Sequence, residues 1–461
     1  MTLALLASLS LLASGGAVSD SLPDPRPVVL TGAEVPALLG AAPEAVRAFA
    51  LREGQATSIP VQVDERFEYD IAVVYADLDP RDCARPSWCR DVTGQVVEVG
   101  YADPDTQVGP DPDATLDADD EIALMAADFG PRLTNLSVSA VEVSVASGGE
   151  TRYAYLLADP EAVHVAERVY VDYTPRFERG DYLATYDRTG SPPPVLMNWL
   201  YGYPSRQRPG NNPETTTVST EHYTAGFSDR WILDRLTIGG GPDLLDVDMV
   251  AFGPGVCQRT PHTASLSEGG FLVNRSGPVR AIRRVIGFNS GPLAELQWTF
   301  YARYAESRAA LRVHPVPGVM SFLDLTPEAY GAIYRSSAHP LGVVVDGQRD
   351  PFLTHGEPDW ETLTGEAGSY AVRHHTEASG FDRELEVTTT YRDEATPSVQ
   401  ACMFDDRYVA AHGIRVRSKI PNTDPRRGEH GRISLRREFV FGGDPEASLD
   451  ALREPLAVTV R

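Results

Sequence analysis

The sequence predicts an all-β protein in two parts, an N-terminal β domain followed by a larger antiparallel β unit. Three observations carry this. Short alternating runs of apolar and polar residues, bounded by Gly, Pro, Asn and Asp, recur along the chain, whereas helical periodicity is scarce. Thirty-nine glycines and 36 prolines supply turns throughout the 461 residues. No fixed-period repeat is visible, which argues against a propeller or solenoid.

The elements follow in order. Residues 3–13 are apolar and leucine-rich and lead through small residues to Asp20, Pro23 and Pro25, the pattern of a signal peptide over 1–19. No Lys or Arg precedes Arg26, so the usual basic start is missing. The expectation is an exported chain, secreted or periplasmic. Residues 45–65 read as a hairpin turning at Glu53 and Gly54. A second strand pair follows near 70–76 and 96–101, and strands at 121–126 and 133–146 complete an N-terminal domain over 20–155. The larger domain, 156–461, holds strand candidates at 169–173, 215–225, 279–288, 296–304, 309–314, 342–345, 385–391, 414–420 and 433–441. Residues 445–453 read as the one helix. No mature segment reaches the roughly 18 apolar residues of a membrane span.

Charge is unevenly placed. The chain has 65 acidic and 41 basic residues, a formal net charge of -24, which argues against a nucleic-acid partner. From Asp91 to Pro131 there are eleven acids and no Lys or Arg, whereas eight Arg face four acids between Arg275 and Arg335. Eight basic residues face two acids between Gly413 and Arg437, and Lys419 is the only lysine. Arginine forks suit carboxylates, so an anionic sugar partner is one reading of these strands; a compositional bias of the whole chain is the other. Within DPDATLDADDE, Asp111, Asp113, Asp117, Asp119 and Glu121 offer alternating oxygens that could wrap a calcium ion. Leu116 and Ile122 stand where an EF-hand needs Gly and Glu, so the expectation is a non-EF calcium loop or a solvated acidic turn.

The four cysteines, Cys83, Cys89, Cys257 and Cys402, are consistent with two disulfides in an oxidising compartment. Of three pairings, proximity favours Cys83 with Cys89, leaving Cys257 with Cys402 as a long-range staple of about 4 to 5 kcal/mol in the chain-entropy model. Their scattered spacing does not suit zinc. No GxSxG, P-loop, HExxH or GxGxxG motif stands in a suitable context. His374 and His375, being adjacent on a strand, point to opposite faces and cannot easily share an ion.

One hairpin places candidate chemistry. With a turn at 305–308, Leu296, Trp298, Phe300 and Tyr304 share an apolar face, and Tyr301 opposes Arg312 while Thr299 opposes His314 on the other. His222 and Tyr223 lie in STEHYTAGFSDRW, a second dense mixture of acid, base and aromatic groups.

Several phrases resemble the galactose-mutarotase-like β-supersandwich of secreted polysaccharide lyases, including rhamnogalacturonan exolyase-like proteins. They are SGPVRAIRRVIGF (276–288), IPVQVDE (59–65) ahead of DADDEIALMAADFG (117–130), and RREFVFGG (436–443). The resemblance implies a β-sandwich-like N-terminal domain followed by a large antiparallel β-supersandwich whose sheet face binds sugar. It implies a lyase on a uronate-containing polysaccharide, with His314 or His222 as base, Tyr301 or Tyr223 as acid and Arg312 or Arg280 facing the carboxylate. The alternative is a non-catalytic glycan-binding or envelope protein, stabilised by calcium.

Overall fold

The computed structural model describes residues 24–71, 73, 96–134, 139–159, 168–177, 213–252, 270–286, 294–312, 318–350, 356–381, 384–396, 408–417 and 431–461. It is all-β, as the alternation predicts, with the one described α-helix at Pro445–Arg453. An eight-stranded antiparallel sheet and a nine-stranded one form the larger unit. In the nine-stranded sheet, Gly270–Ser276, Ala281–Ile286, Glu295–Phe300, Tyr304–Arg312, Arg432–Phe441 and Gly368–Ser379 follow one another as neighbours.

Register decides what the sandwich encloses. Across that sheet Arg283, Trp298, Ser307, Arg437 and His374 are successive cross-strand partners and so share one face. Their neighbours two or four residues along, including Leu296, Phe300, Phe439, Phe441 and Val372, join one buried core with residues of the eight-stranded sheet. Phe227 meets Phe300 edge-on at 6.2 Å, and Tyr223 lies 4.3 Å from Phe441. The two arginines of the row are paired across the sandwich, and His374 is paired within its own sheet. Arg283 bonds Glu214, Arg437 Nη2 reaches Asp248 at 2.7 Å, and His374 Nε2 lies 2.9 Å from Glu361.

The smaller unit has its own core, formed by residues such as Val28, Leu30, Val46, Ile122, Val143 and Leu156. The hairpin predicted at 45–65 is present. Val46–Arg52 pairs with Gln55–Ile59 through Glu53 and Gly54, whose φ angles of 51° and 80° are those of a type I′ turn. The second predicted pair forms a few residues earlier than expected on one side, with Arg66–Asp70 against Val97–Tyr101. The five-stranded sheet is completed by Ala457–Val460, which pairs with Val141–Ser147 and so crosses back over the boundary placed at 155.

The acidic segment turns back on its own backbone. Asp111, Asp113 and Asp117 each accept the amide two residues on, at 2.8 to 3.1 Å, and Asp120 accepts the amides of Arg66 and Asp117. Glu121 points away, to Arg66, Arg280 and Tyr101. Among the described residues no three His, Cys, Asp or Glu side chains form a group able to hold a metal ion. Asp111, Asp113 and Asp117 thus each commit one carboxylate oxygen to a turn amide, and Glu121 is held apart from them by Arg66, Arg280 and Tyr101. Cys83, Cys89, Cys257 and Cys402 lie outside the described residues. No described helix is long and apolar enough to cross a membrane.

Two expected outcomes follow. The Arg437–Asp248 pair is about 1% exposed on both sides, so Arg437→Leu alone should cost about 3 to 5 kcal/mol by leaving a buried carboxylate. Adding Asp248→Leu should recover most of that in denaturant unfolding; simple additivity would refute the pairing. Burial and a hydrogen bond shared with Asp117 push Asp119 up to about 6. A folded value above the unfolded one, about 3.9, favours folding fully only at lower pH, and the advantage is lost as pH rises through 6. Asp119→Asn should thus melt above wild type at pH 7 to 8, and the two should coincide by about pH 3.

Candidate functional site

The predicted hairpin forms with a different turn. Glu295–Phe300 pairs with Tyr304–Arg312, Phe300 opposite Ala305 and Thr299 opposite Glu306, so the chain reverses at 301–304 rather than 305–308. The Tyr301 amide donates to the Tyr304 carbonyl to close it. The proposed opposition of Tyr301 with Arg312 is therefore overturned. Tyr301 lies in the turn, and Arg312 lies at the far end of the partner strand. His314 lies outside the described residues, and Thr299 faces Glu306 in its place. The shifted turn also changes the phase of the second strand, so that Tyr304 sits with Glu306 and not with Leu296.

His222 is also repositioned. The run 215–225 divides into Pro213–Ser219 and Tyr223–Asp229, and the Thr220 amide donates to the Tyr223 carbonyl, so His222 occupies an exposed turn. Burial and the Arg303 charge lower its pKa. Tyr223 is buried and donates to the Tyr301 carbonyl at 2.9 Å, a structural contact.

Of the two arginines predicted to face an anionic substrate, Arg280 is already neutralised within the chain, and the Arg312 side chain lies outside what the structure describes. Arg280, 2% exposed, bonds Asp64 Oδ2 and Glu121 Oε2, each at 2.8 Å, and Tyr301 Oη at 3.2 Å. Arg284 bonds Glu295 and Glu98, and Arg283 bonds Glu214. Glu214, Glu98, Asp64 and Glu121 all lie outside the Arg-rich stretch, so for these three arginines a count of charge along the chain misses the neutralising carboxylates.

What the outer face of the nine-stranded sheet does bring together is a set that sequence reasoning misses. Glu306 and Glu438 are direct cross-strand partners. The Tyr304 hydroxyl donates to Glu438 Oε1 at 2.8 Å, and His375 Nε2 bonds Glu438 Oε2. Arg436 spans both acids, with Nη1 3.0 Å from Glu306 and 3.9 Å from Glu438. Side-chain exposures of 14% for Glu438, 25% for Glu306 and 28% for His375 leave the cluster reachable. Tyr301 and Tyr304 rings, 5.6 Å apart, join it to Arg280 and, through Arg280, to Glu121 and Tyr101 of the smaller unit.

Like charges directly opposite on a sheet are destabilising, and two carboxyls sharing a site separate in acidity. That separation is present. Burial, together with the Glu438 charge, raises Glu306 against the pull of Arg436. Burial alone would raise Glu438 too, but the hydrogen bond from His375, the Arg436 charge and the Tyr304 hydroxyl hold it below the usual range. The shifts thereby favour the protonated form of Glu306 and the ionised form of Glu438. His374, by contrast, points into the sandwich toward Glu361, as adjacent strand residues must. A sequence signal existed: Glu438 is the one acid in RREFVF, on a strand type that disfavours Glu. Placing the turn at 305–308 concealed Glu306.

No family model matches the chain, and no curated protein matches it in sequence. Among solved structures it is similar to a candidate mutarotase from Salmonella typhimurium, with 12% identity, 53% of this chain and 95% of that one covered, and a TM-score of 0.32. It is similar to a candidate aldose 1-epimerase from Escherichia coli K12, with 10% identity, 48% and 97% covered, and a TM-score of 0.26. A TPR-domain-containing protein from Parabacteroides distasonis gives 12% identity, 63% and 56% covered, and a TM-score of 0.30. At these scores the likeness carries no argument about activity, and the all-β sandwich architecture rests on the sheets and registers of the chain itself.

Proposed function

We propose that the outer-face cluster is a proton-transfer site acting on a neutral carbohydrate. The observation that carries this is the direct opposition of Glu306 and Glu438 with acidities pushed apart, an arrangement that costs stability and yields one acid beside one base. Glu438 takes a proton from a sugar hydroxyl, and Glu306 gives one to the departing oxygen. His375 and Tyr304 orient Glu438, and Arg436 holds the two carboxyls at one site. On a free aldose this pair interconverts anomers with no co-reactant. The anomeric O–H loses its proton to Glu438 as C=O forms and the ring C–O bond breaks, the ring oxygen takes the Glu306 proton, and the reverse closure scrambles the configuration.

The lyase reading on a uronate polysaccharide needs a cation free to face the substrate carboxylate. Among the described residues of this cluster, Arg280 and Arg436 are both engaged by carboxylates, so that reading has less support. The test uses both substrate classes. Anomer exchange of free aldoses, followed by NMR, should be accelerated, and Glu438→Gln or Glu306→Gln should each slow it by about 10²- to 10⁴-fold with melting behaviour retained. The pH profile should have an acid limb from Glu438 and an alkaline limb from Glu306, the latter absent in Glu306→Gln. Ultraviolet absorbance from an unsaturated product on uronate polysaccharides would return the assignment to a lyase, and inertness on both panels would leave a glycan binder. Export belongs to the same proposal: N-terminal sequencing of the protein from the extracytoplasmic fraction should begin near residue 20.

A further inference from the structure

A groove of about 450 Å³ lies between the Val141–Ser147 and Glu150–Ala158 hairpin of the smaller unit and the Pro445–Arg453 helix. Its volume is within the range of small-molecule sites, about 300 to 1,000 Å³. Small apolar side chains, Pro25, Ala126, Val145 and Ala447, supply part of the wall, and Arg303, Ser147, Ser448 and Asp444 supply polar groups.

The charged groups of the lining are not equally committed. Asp24 is held by Arg26 and Ser147, Glu150 by Arg152, and Asp444 accepts the Glu446 amide as the cap of the helix. Arg303 has no carboxylate partner among the described residues. Its Nε donates to the Phe441 carbonyl at 2.9 Å and its Nη2 to the Gly442 carbonyl at 2.6 Å and to Ser448 Oγ at 3.5 Å, which fixes the fork and leaves Nη1 unspent among the described residues. Gly443, at φ 67°, makes this possible, because a Cβ there would stand 2.2 Å from Arg303 Nη2. Three carboxylates on the lining disfavour an anion, and two arginines disfavour a cation. A fixed guanidinium edge, with hydroxyl and carboxylate oxygens that keep acceptor capacity after their own bonds are made, beside an apolar wall, instead matches a ring that carries hydroxyls on its edge and C–H groups on its face.

We propose that this groove binds a neutral polyhydroxylated ring, a sugar unit separate from the one acted on at Glu306 and Glu438. The two places share one turn: within 301–304, Tyr301 and Tyr304 face the proton-transfer cluster and Arg303 lines the groove. The binding claim stands apart from the catalytic reading, because it needs no proton transfer.

The test uses methyl hexosides, whose locked anomeric carbon cannot be turned over, with saturation-transfer NMR and titration on the full chain. Wild type should bind. Ala447→Leu, which fills the groove without removing a hydrogen bond, and Arg303→Gln should each weaken binding by at least about tenfold, while Glu438→Gln should leave it unchanged. Unchanged binding in Ala447→Leu, or loss in Glu438→Gln instead, would place the sugar at the cluster and overturn the groove. Absence of methyl hexoside binding to wild type, or occupation of the groove by inorganic phosphate in its stead, would overturn the ligand class. Loss of anomer exchange with groove binding retained would refute only the catalytic reading.

Discussion

The arrangement of the two units depends on how one buried arginine is accommodated. Arg280 is buried between Asp64 and Glu121 of the smaller unit, the two carboxylates that neutralise it, and Glu121 also meets Arg66. The chain around them is fitted to the same contact. Gln62 Oε1 accepts the amides of Val279 and Arg280 at 3.1 and 2.9 Å, and its Nε2 steadies Asp64 at 2.9 Å. Gly277 lies so close that a Cβ would meet Gln62 at 2.4 Å. Buried ion pairs gain little net stability once desolvation is counted, but they tolerate few geometries. The cluster therefore sets the position of Glu121 and Tyr101 relative to Tyr301, and with it one flank of the Glu306 and Glu438 site.

This explains why the phrases that carried the sequence resemblance stand so far apart in the chain. IPVQVDE contributes Gln62 and Asp64, DADDEIALMAADFG contributes Glu121, and SGPVRAIRRVIGF contributes Arg280, all to one junction. RREFVFGG supplies Arg436 and Glu438 to the outer face, Arg437 to the inner one, and the glycines over which Arg303 lies. They are structural phrases first. Together they form a seam, and the candidate chemistry sits along it.

Alternation and turn residues made much of the fold legible. The Glu53 and Gly54 turn and the helix Pro445–Arg453 were readable because each depends on local conformational preference. The site was less legible, for a physical reason. Alternation tells which residues share a face but not what covers that face, and three arginines of the nine-stranded sheet and its approach proved to be met by carboxylates from far away. Arg283, Arg437 and Arg280 meet partners 69, 189 and 216 residues distant. A count of charge along the chain cannot register such neutralisation. The four-residue displacement of one turn was enough to hide Glu306, since it moved that residue from a strand facing Glu438 to a loop.

The return of Ala457–Val460 to the sheet of the smaller unit has a bearing on how the protein is made. Until those residues are available, Val141–Ser147 is a bare sheet edge with unpaired amides and carbonyls, of the kind that recruits other chains. The hydrogen bond from Ser144 to Thr459 spans 315 residues, so closure of this edge is among the most non-local events in the fold. During synthesis the smaller unit must wait, incomplete, while the whole sandwich emerges. Its last strand then acts as a latch that seals the first domain only after the second is present, making the folding of the two units a single commitment in time although their cores are separate.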